Sequence, residues 1–98
     1  MQVDYHPLAL EELEEAALYL EDQVYGLGFE FEAEYHASLE RILRDPLTYR
    51  AVYRDVRKVN LRRFQYGVLY VVEGNKVTIF AVMHLKREPF YWKNRLGA

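Results

Sequence analysis

The spacing of apolar residues changes once along this chain, and that change limits what the chain can fold into. From Leu10 to Leu43 apolar side chains recur every three or four positions, whereas from Tyr53 onward they alternate or run together. The first spacing is the period of a helix and the second that of a strand, so the first half is expected to be helical and the second to form a sheet. Leu10, Leu13, Ala17, Leu20 and Val24 predict an amphipathic first helix, opened by His6-Pro7 and ended near Tyr25-Gly26-Leu27-Gly28. Phe31, Tyr35, Leu39, Ile42 and Leu43 predict a second helix that stops before Pro46. The short connection makes the two an antiparallel hairpin.

A short stretch at Gln2 to Tyr5 reads as a first strand, and Leu47 to Val52 as a loop. Val56 to Leu61 alternates as a strand does. Tyr66 to Val72 and Val77 to Met83 are joined by a tight turn at Glu73-Gly74-Asn75-Lys76. The last two strands are apolar on both faces, so central places in a sheet are expected for them. Leu85 to Ala98 is basic and aromatic, and reads as a loop or tail with a short helix. The expected fold class is α+β: an N-terminal strand, a helical hairpin, a three-stranded antiparallel meander and a short C-terminal tail, with the helices on one face. Residues 1–98 fit one domain, since 98 residues can enclose one modest core.

Charge divides the chain at almost the same place. Residues 1–40 hold eleven carboxylates and no Lys or Arg, while residues 41–98 hold all 13 basic residues and four carboxylates, so the halves are formally -11 and +9. Such a division suggests two surfaces with different partners, the basic one suited to phosphates or to an acidic protein segment. There is no cysteine, hence no disulfide or thiolate chemistry. No run approaches the ~20 apolar residues of a membrane span. Met1 to Asp4 lacks the blocks of a signal peptide, so a cytoplasmic protein without membrane partners is expected. His6, His36 and His84 are scattered without metal-ligand spacing, Ser38 is the only serine, and Gly26 with Gly28 makes a helix turn rather than a phosphate loop. Neither a metal nor a cofactor is expected.

Taken in order, several segments resemble the RelE/ParE superfamily of toxins from type II toxin–antitoxin systems, also called plasmid stabilisation proteins. The opening Tyr5-His6-Pro7-Leu8-Ala9, with Glu12-Leu13 and Ala16-Ala17, is similar to theirs. So are the turn Gly26 to Phe31, the helix end at Asp45-Pro46, and Arg57 followed by Arg63 to Tyr70. The closing pattern of Val77 to His84, Arg87, Pro89, Tyr91-Trp92 and Arg95 completes the likeness, which spans nearly the whole chain. Two departures stand out. Gln65 replaces a proline common among relatives, and Gly67-Val68-Leu69 lacks the basic residue that nuclease members often carry before the strand tyrosine, here Tyr70.

The resemblance implies a toxin that arrests growth and is neutralised by a cognate antitoxin. The antitoxin would wrap the domain, laying an acidic segment on the basic half and a helix on the apolar positions of the first helix. Two targets follow from it. A RelE-like toxin cuts ribosome-bound mRNA without metal, the ribose 2′-hydroxyl attacking the adjacent phosphate. That chemistry needs a base, an acid and cations, and the candidates are His84, Arg87 and Tyr91 as catalytic groups, with Glu88 a weaker base. Arg57, Arg62, Arg63, Trp92 and Arg95 are the candidates for holding RNA or a partner. A ParE-like toxin instead poisons DNA gyrase by binding it, with no chemistry of its own. The remaining alternative is an inactive or domesticated relative that only binds a protein or RNA.

Overall fold

The computed structural model describes residues 1–97. Its elements run β1 (Gln2–Tyr5), α1 (Pro7–Gln23), α2 (Leu27–Arg44), β2 (Ala51–Tyr53), β3 (Val56–Asn60), β4 (Tyr66–Glu73), β5 (Lys76–His84) and a short 3-10 turn at Lys93–Arg95. The strands form one mixed sheet in the order β1-β5-β4-β3-β2. Strand β1 runs parallel to β5, Val3 opposite Val77 and Tyr5 opposite Ile79. The other neighbours are antiparallel, and β4 and β5 hold central places as their two-faced apolar pattern predicts.

Strand β2 departs from the expected loop. Its three residues pair at the sheet edge, Ala51 opposite Arg57 and Tyr53 opposite Val56, with an irregularity between them. So short a strand carries no readable alternation; it exists because β3 offers it a ladder. The turn into β3 places Arg54 at φ +49, a left-handed conformation. At the β4–β5 hairpin Gly74 takes φ +59, which suits the first central position of a two-residue turn.

Helix α1 starts cleanly because Pro7 occupies its first turn and the His6 ring Nδ1 accepts the Leu8 amide at 3.1 Å. The start of α2 is capped from outside: the Glu21 carboxylate accepts the amides of Gly26 and Gly28 at 2.9 and 3.0 Å, meeting the positive end of that helix. Gly26 itself sits at φ +84. The buried stripe of α1 is rotated from the sequence expectation. Ala9 and Ala16 are buried and Leu13, Ala17 and Leu20 pack partly against the core, while Leu10 and Val24 are exposed.

Two cores result, one on each face of the sheet. Under the helices lie Phe31, Tyr35 and Ile42 of α2 with Val59, Val68, Tyr70, Val77, Ile79 and Val82. Phe31 meets the edges of Phe64 and Tyr66, with ring centroids 5.4 and 5.0 Å away. On the opposite face Val56, Leu69, Ala81 and Met83 are covered by the C-terminal segment through Trp92, aided by Tyr91 and Leu96. The tail is thus part of the fold and closes the sheet's second face.

Candidate functional site

The first helix and the C-terminal segment meet at a single carboxylate. Glu12 lies three residues after buried Ala9 and four before buried Ala16, a spacing that puts it on the inward stripe of α1. Its Oε1 accepts the Val82 amide at 3.1 Å and Arg95 Nη1 at 2.9 Å. Its Oε2 accepts the Tyr91 hydroxyl at 2.6 Å, Arg95 Nη2 at 2.8 Å and Arg87 Nη1 at 3.3 Å. The Arg95 pair is bidentate and almost dry, the two side chains being 8% and 11% exposed. Arg95 Nη1 also donates to the Phe80 carbonyl at 2.8 Å.

Strand β1 pairs with β5 only as far as Ile79, so beyond it the edge of β5 has no partner strand. Glu12 and Arg95 satisfy the Val82 amide and the Phe80 carbonyl there in place of a strand. Burial works to raise the Glu12 pKa, but the hydrogen bonds from Arg95, Tyr91 and Val82 and the charge of Arg95 outweigh it, and the carboxyl is held below its usual value. Burial, then the hydrogen bond to Glu12, pushes the Tyr91 phenol far above its ordinary range. The Arg87 and Arg95 guanidinium carbons lie 3.6 and 5.1 Å from the centroid of the Tyr91 ring.

A cavity of about 180 Å³ opens beside this clasp, lined by Glu12, Glu15, Tyr66, Val82, His84 and Arg87, with Ala16 at its wall. His84 ends β5 with its ring edge-on to Tyr66 at 5.0 Å, and its Nδ1 accepts the Lys86 amide at 3.1 Å. The structure therefore brings together His84, Arg87, Tyr91 and Arg95 from the sequence candidates, and adds Glu12, which the sequence reading left unassigned. The signal for Glu12 was an acid three residues after Ala9 and four before Ala16, at the spacing of the inward stripe.

The other candidates lie elsewhere. Arg57, opposite Tyr70 on β4, donates to the Tyr49 carbonyl at 2.6 Å and to that of Leu47 at 3.3 Å. With the Tyr70 hydroxyl, which donates to the Pro46 carbonyl at 2.6 Å, it fastens the segment between α2 and β2. Arg63 is surface-exposed, paired with Glu30 at 2.6 Å, and its amide donates to Glu34. Arg62 is exposed. Trp92 is buried in the second core, far more a wall than a free stacking platform.

A small α+β domain of this topology, with its terminal segment clasped to its first helix, defines the class. The chain belongs to the family described as the ParE toxin of type II toxin-antitoxin system, parDE, whose family model matches residues 3–89. Among solved structures it is similar to a chain of the chromosomal ParDE TA system from P. aeruginosa, with a TM-score of 0.73 and 13% identity over 88% of this chain and 97% of that one. At that identity the likeness is one of fold. No curated protein matches. Among the described residues, no helix is long and apolar enough to cross a membrane.

Proposed function

We propose that this toxin arrests growth by binding DNA gyrase, and that a cognate antitoxin neutralises it. The observation that carries the reading is the occupation of Tyr91 and Arg95 by Glu12, which Arg87 also meets more loosely at 3.3 Å. A phosphate-cleaving site needs free cations and a mobile proton. Here the Tyr91 hydroxyl is committed to a hydrogen bond to Glu12, the Arg95 fork is filled, and two carboxylates, Glu12 and Glu15, line the cavity beside His84. Glu12 is matched by Arg95, while Glu15, in no ion pair among the described residues, works against a phosphate there and Arg87 is the one cation of the lining. The missing cation at Gly67-Val68-Leu69 points the same way. The antitoxin contact is supported by exposed Leu18, Tyr25 and Phe29 on the acidic hairpin, a surface of the kind that receives an amphipathic helix.

The test is a supercoiling assay with purified gyrase, run beside an RNA-cleavage assay on translating ribosomes. Supercoiling should fall with added chain and recover on adding the neighbouring gene's product, while mRNA stays intact. His84→Ala should leave growth arrest unchanged. Cleavage of ribosome-bound mRNA that disappears in His84→Ala would replace this reading by the RelE-like one. Normal growth on expression of the soluble chain alone would favour a relative that only binds.

A further inference from the structure

We propose that the cavity between α1 and the ends of β4 and β5 is a socket for one arginine side chain of a protein partner. Its volume of about 180 Å³ lies below the ~300 Å³ at which small-molecule sites usually begin. That is room for a single long side chain rather than for a nucleotide.

The lining decides the sign of the occupant. Three of its side chains carry charge: Glu12, Glu15 and Arg87. Glu12 is matched by the Arg95 fork at 2.8 and 2.9 Å. Arg87 reaches Glu12 at 3.3 Å and lies over Tyr91, its guanidinium carbon 3.6 Å from the ring centroid, so its charge is already engaged. Glu15 forms no ion pair among the described residues. His84 adds no charge, because its Nδ1 accepts the Lys86 amide at 3.1 Å and so carries no proton. The charge left unmatched in the cavity is negative, and it favours a cation.

The neighbouring rings favour a guanidinium over an ammonium. Tyr66 lines the cavity, with the His84 ring edge-on to it at 5.0 Å. A planar guanidinium stacks on such a ring while its fork meets a carboxylate, whereas an ammonium acts only as a point charge. Glu11, Glu15 and Tyr19 follow one another at single helical turns on α1 and share a face. Burial, and then the nearby Tyr19 phenol, raise the Tyr66 phenol, which places Tyr19 beside the cavity with 59% of its surface exposed. Glu11 is exposed and in no ion pair among the described residues, so a second carboxylate flanks the approach. The inference deepens the protein-binding reading above and rests on it for the occupant being part of a protein.

The isotope-labelled chain is titrated with the capped peptide Ala-Gly-Arg-Gly-Ala, with the twin carrying citrulline, an uncharged near-isostere of arginine, and with inorganic phosphate. The amide NMR signals of Ala16 and Val82 report on the cavity wall. The arginine peptide should shift both signals and bind about two- to fivefold more tightly than its twin, as one partly exposed charge pair gives. Glu15→Gln should remove that preference and Arg87→Gln should raise it. Glu14→Gln, an equal change of net charge outside the lining, should leave it unchanged. Glu15 is exposed and the Arg87 side chain is 52% exposed, so neither change cuts into the core. Equal binding of the two peptides, unmoved signals at millimolar peptide, or the same loss in Glu14→Gln as in Glu15→Gln overturns the proposal and leaves the gyrase reading standing. Phosphate that moves both signals, and moves them less in Arg87→Gln, overturns it and hands the cavity to the RelE-like reading. Arginine binding with supercoiling untouched would sink the gyrase reading alone.

Discussion

Replacing Glu12 by alanine removes the acceptor for three side chains and one strand-edge amide at once. The nearly dry partner is Arg95, 8% exposed, whose charge would be left with the Phe80 carbonyl and the Tyr91 ring. Removing one member of a buried ion pair costs about 3–5 kcal/mol. The orphaned Val82 amide sits within that figure, since measured losses of this kind include the unmatched groups left behind. The Arg87 contact adds little, because Arg87 is 52% exposed and its pair is screened. Against a total stability of ~5–15 kcal/mol for a domain, Glu12→Ala should lower the urea midpoint severely. Glu12→Gln, which keeps the shape and an acceptor for Val82, should lose about 1.5–3 kcal/mol. The double variant Glu12→Leu with Arg95→Met should lose much less than the two single changes summed, because an apolar pair of similar volume substitutes well for a buried ion pair. The assay is urea denaturation followed by circular dichroism. A loss below about 1 kcal/mol for Glu12→Ala would refute the clasp as structural and would return Arg87, Tyr91 and Arg95 to the pool of groups free to meet a substrate.

The same carboxylate predicts the acid limit of the fold. Its folded-state pKa lies below the usual 4.5, so its contribution is complete above about pH 4.5 and is lost as the pH falls through the lowered value; urea midpoints should fall in that range for the parent chain and less steeply for Glu12→Gln. Gly28→Ala should destabilise by about 1–3 kcal/mol despite the better helix former, because its Cβ would stand 2.6 Å from the Ala17 carbonyl oxygen; a more stable Gly28→Ala protein would mean the helices can part freely. Tyr70→Phe should cost about 1 kcal/mol through the lost bond to the Pro46 carbonyl, and it should remove from the ultraviolet absorbance titration a phenol that burial pushes up to about 12.

The elements were legible in the sequence because their causes are local. Pro7 and the Gly26–Gly28 pair set helix boundaries through their own backbone preferences, and the change of apolar period at Tyr53 separates helix from sheet without knowledge of any contact. Phe31, Tyr35 and Ile42 fell on the buried side of α2 by the same period, and Ser38 joined them there without a signal of its own. The order of segments from Tyr5 to Arg95 sufficed for the family. What failed locally was β2, too short to carry a pattern, and the phase of α1, where small Ala9 and Ala16 rather than Leu10 and Val24 face the sheet because the helix packs close to β5.

The sequence by itself determined which stretches are helix and strand, the separation of acidic and basic halves, and the presence of His84, Arg87, Tyr91 and Arg95 near one another in the closing segment. Only the tertiary structure decided that β1 lies parallel beside β5, that Trp92 walls the second core, and that Glu12 takes the basic groups of a segment up to 83 residues away. A period is a property of neighbours along the chain, whereas an ion pair is a property of neighbours in space. Which of the fifteen carboxylates meets Arg95 depends on the register of a helix against a sheet edge, and that register is set by the packing of both cores together.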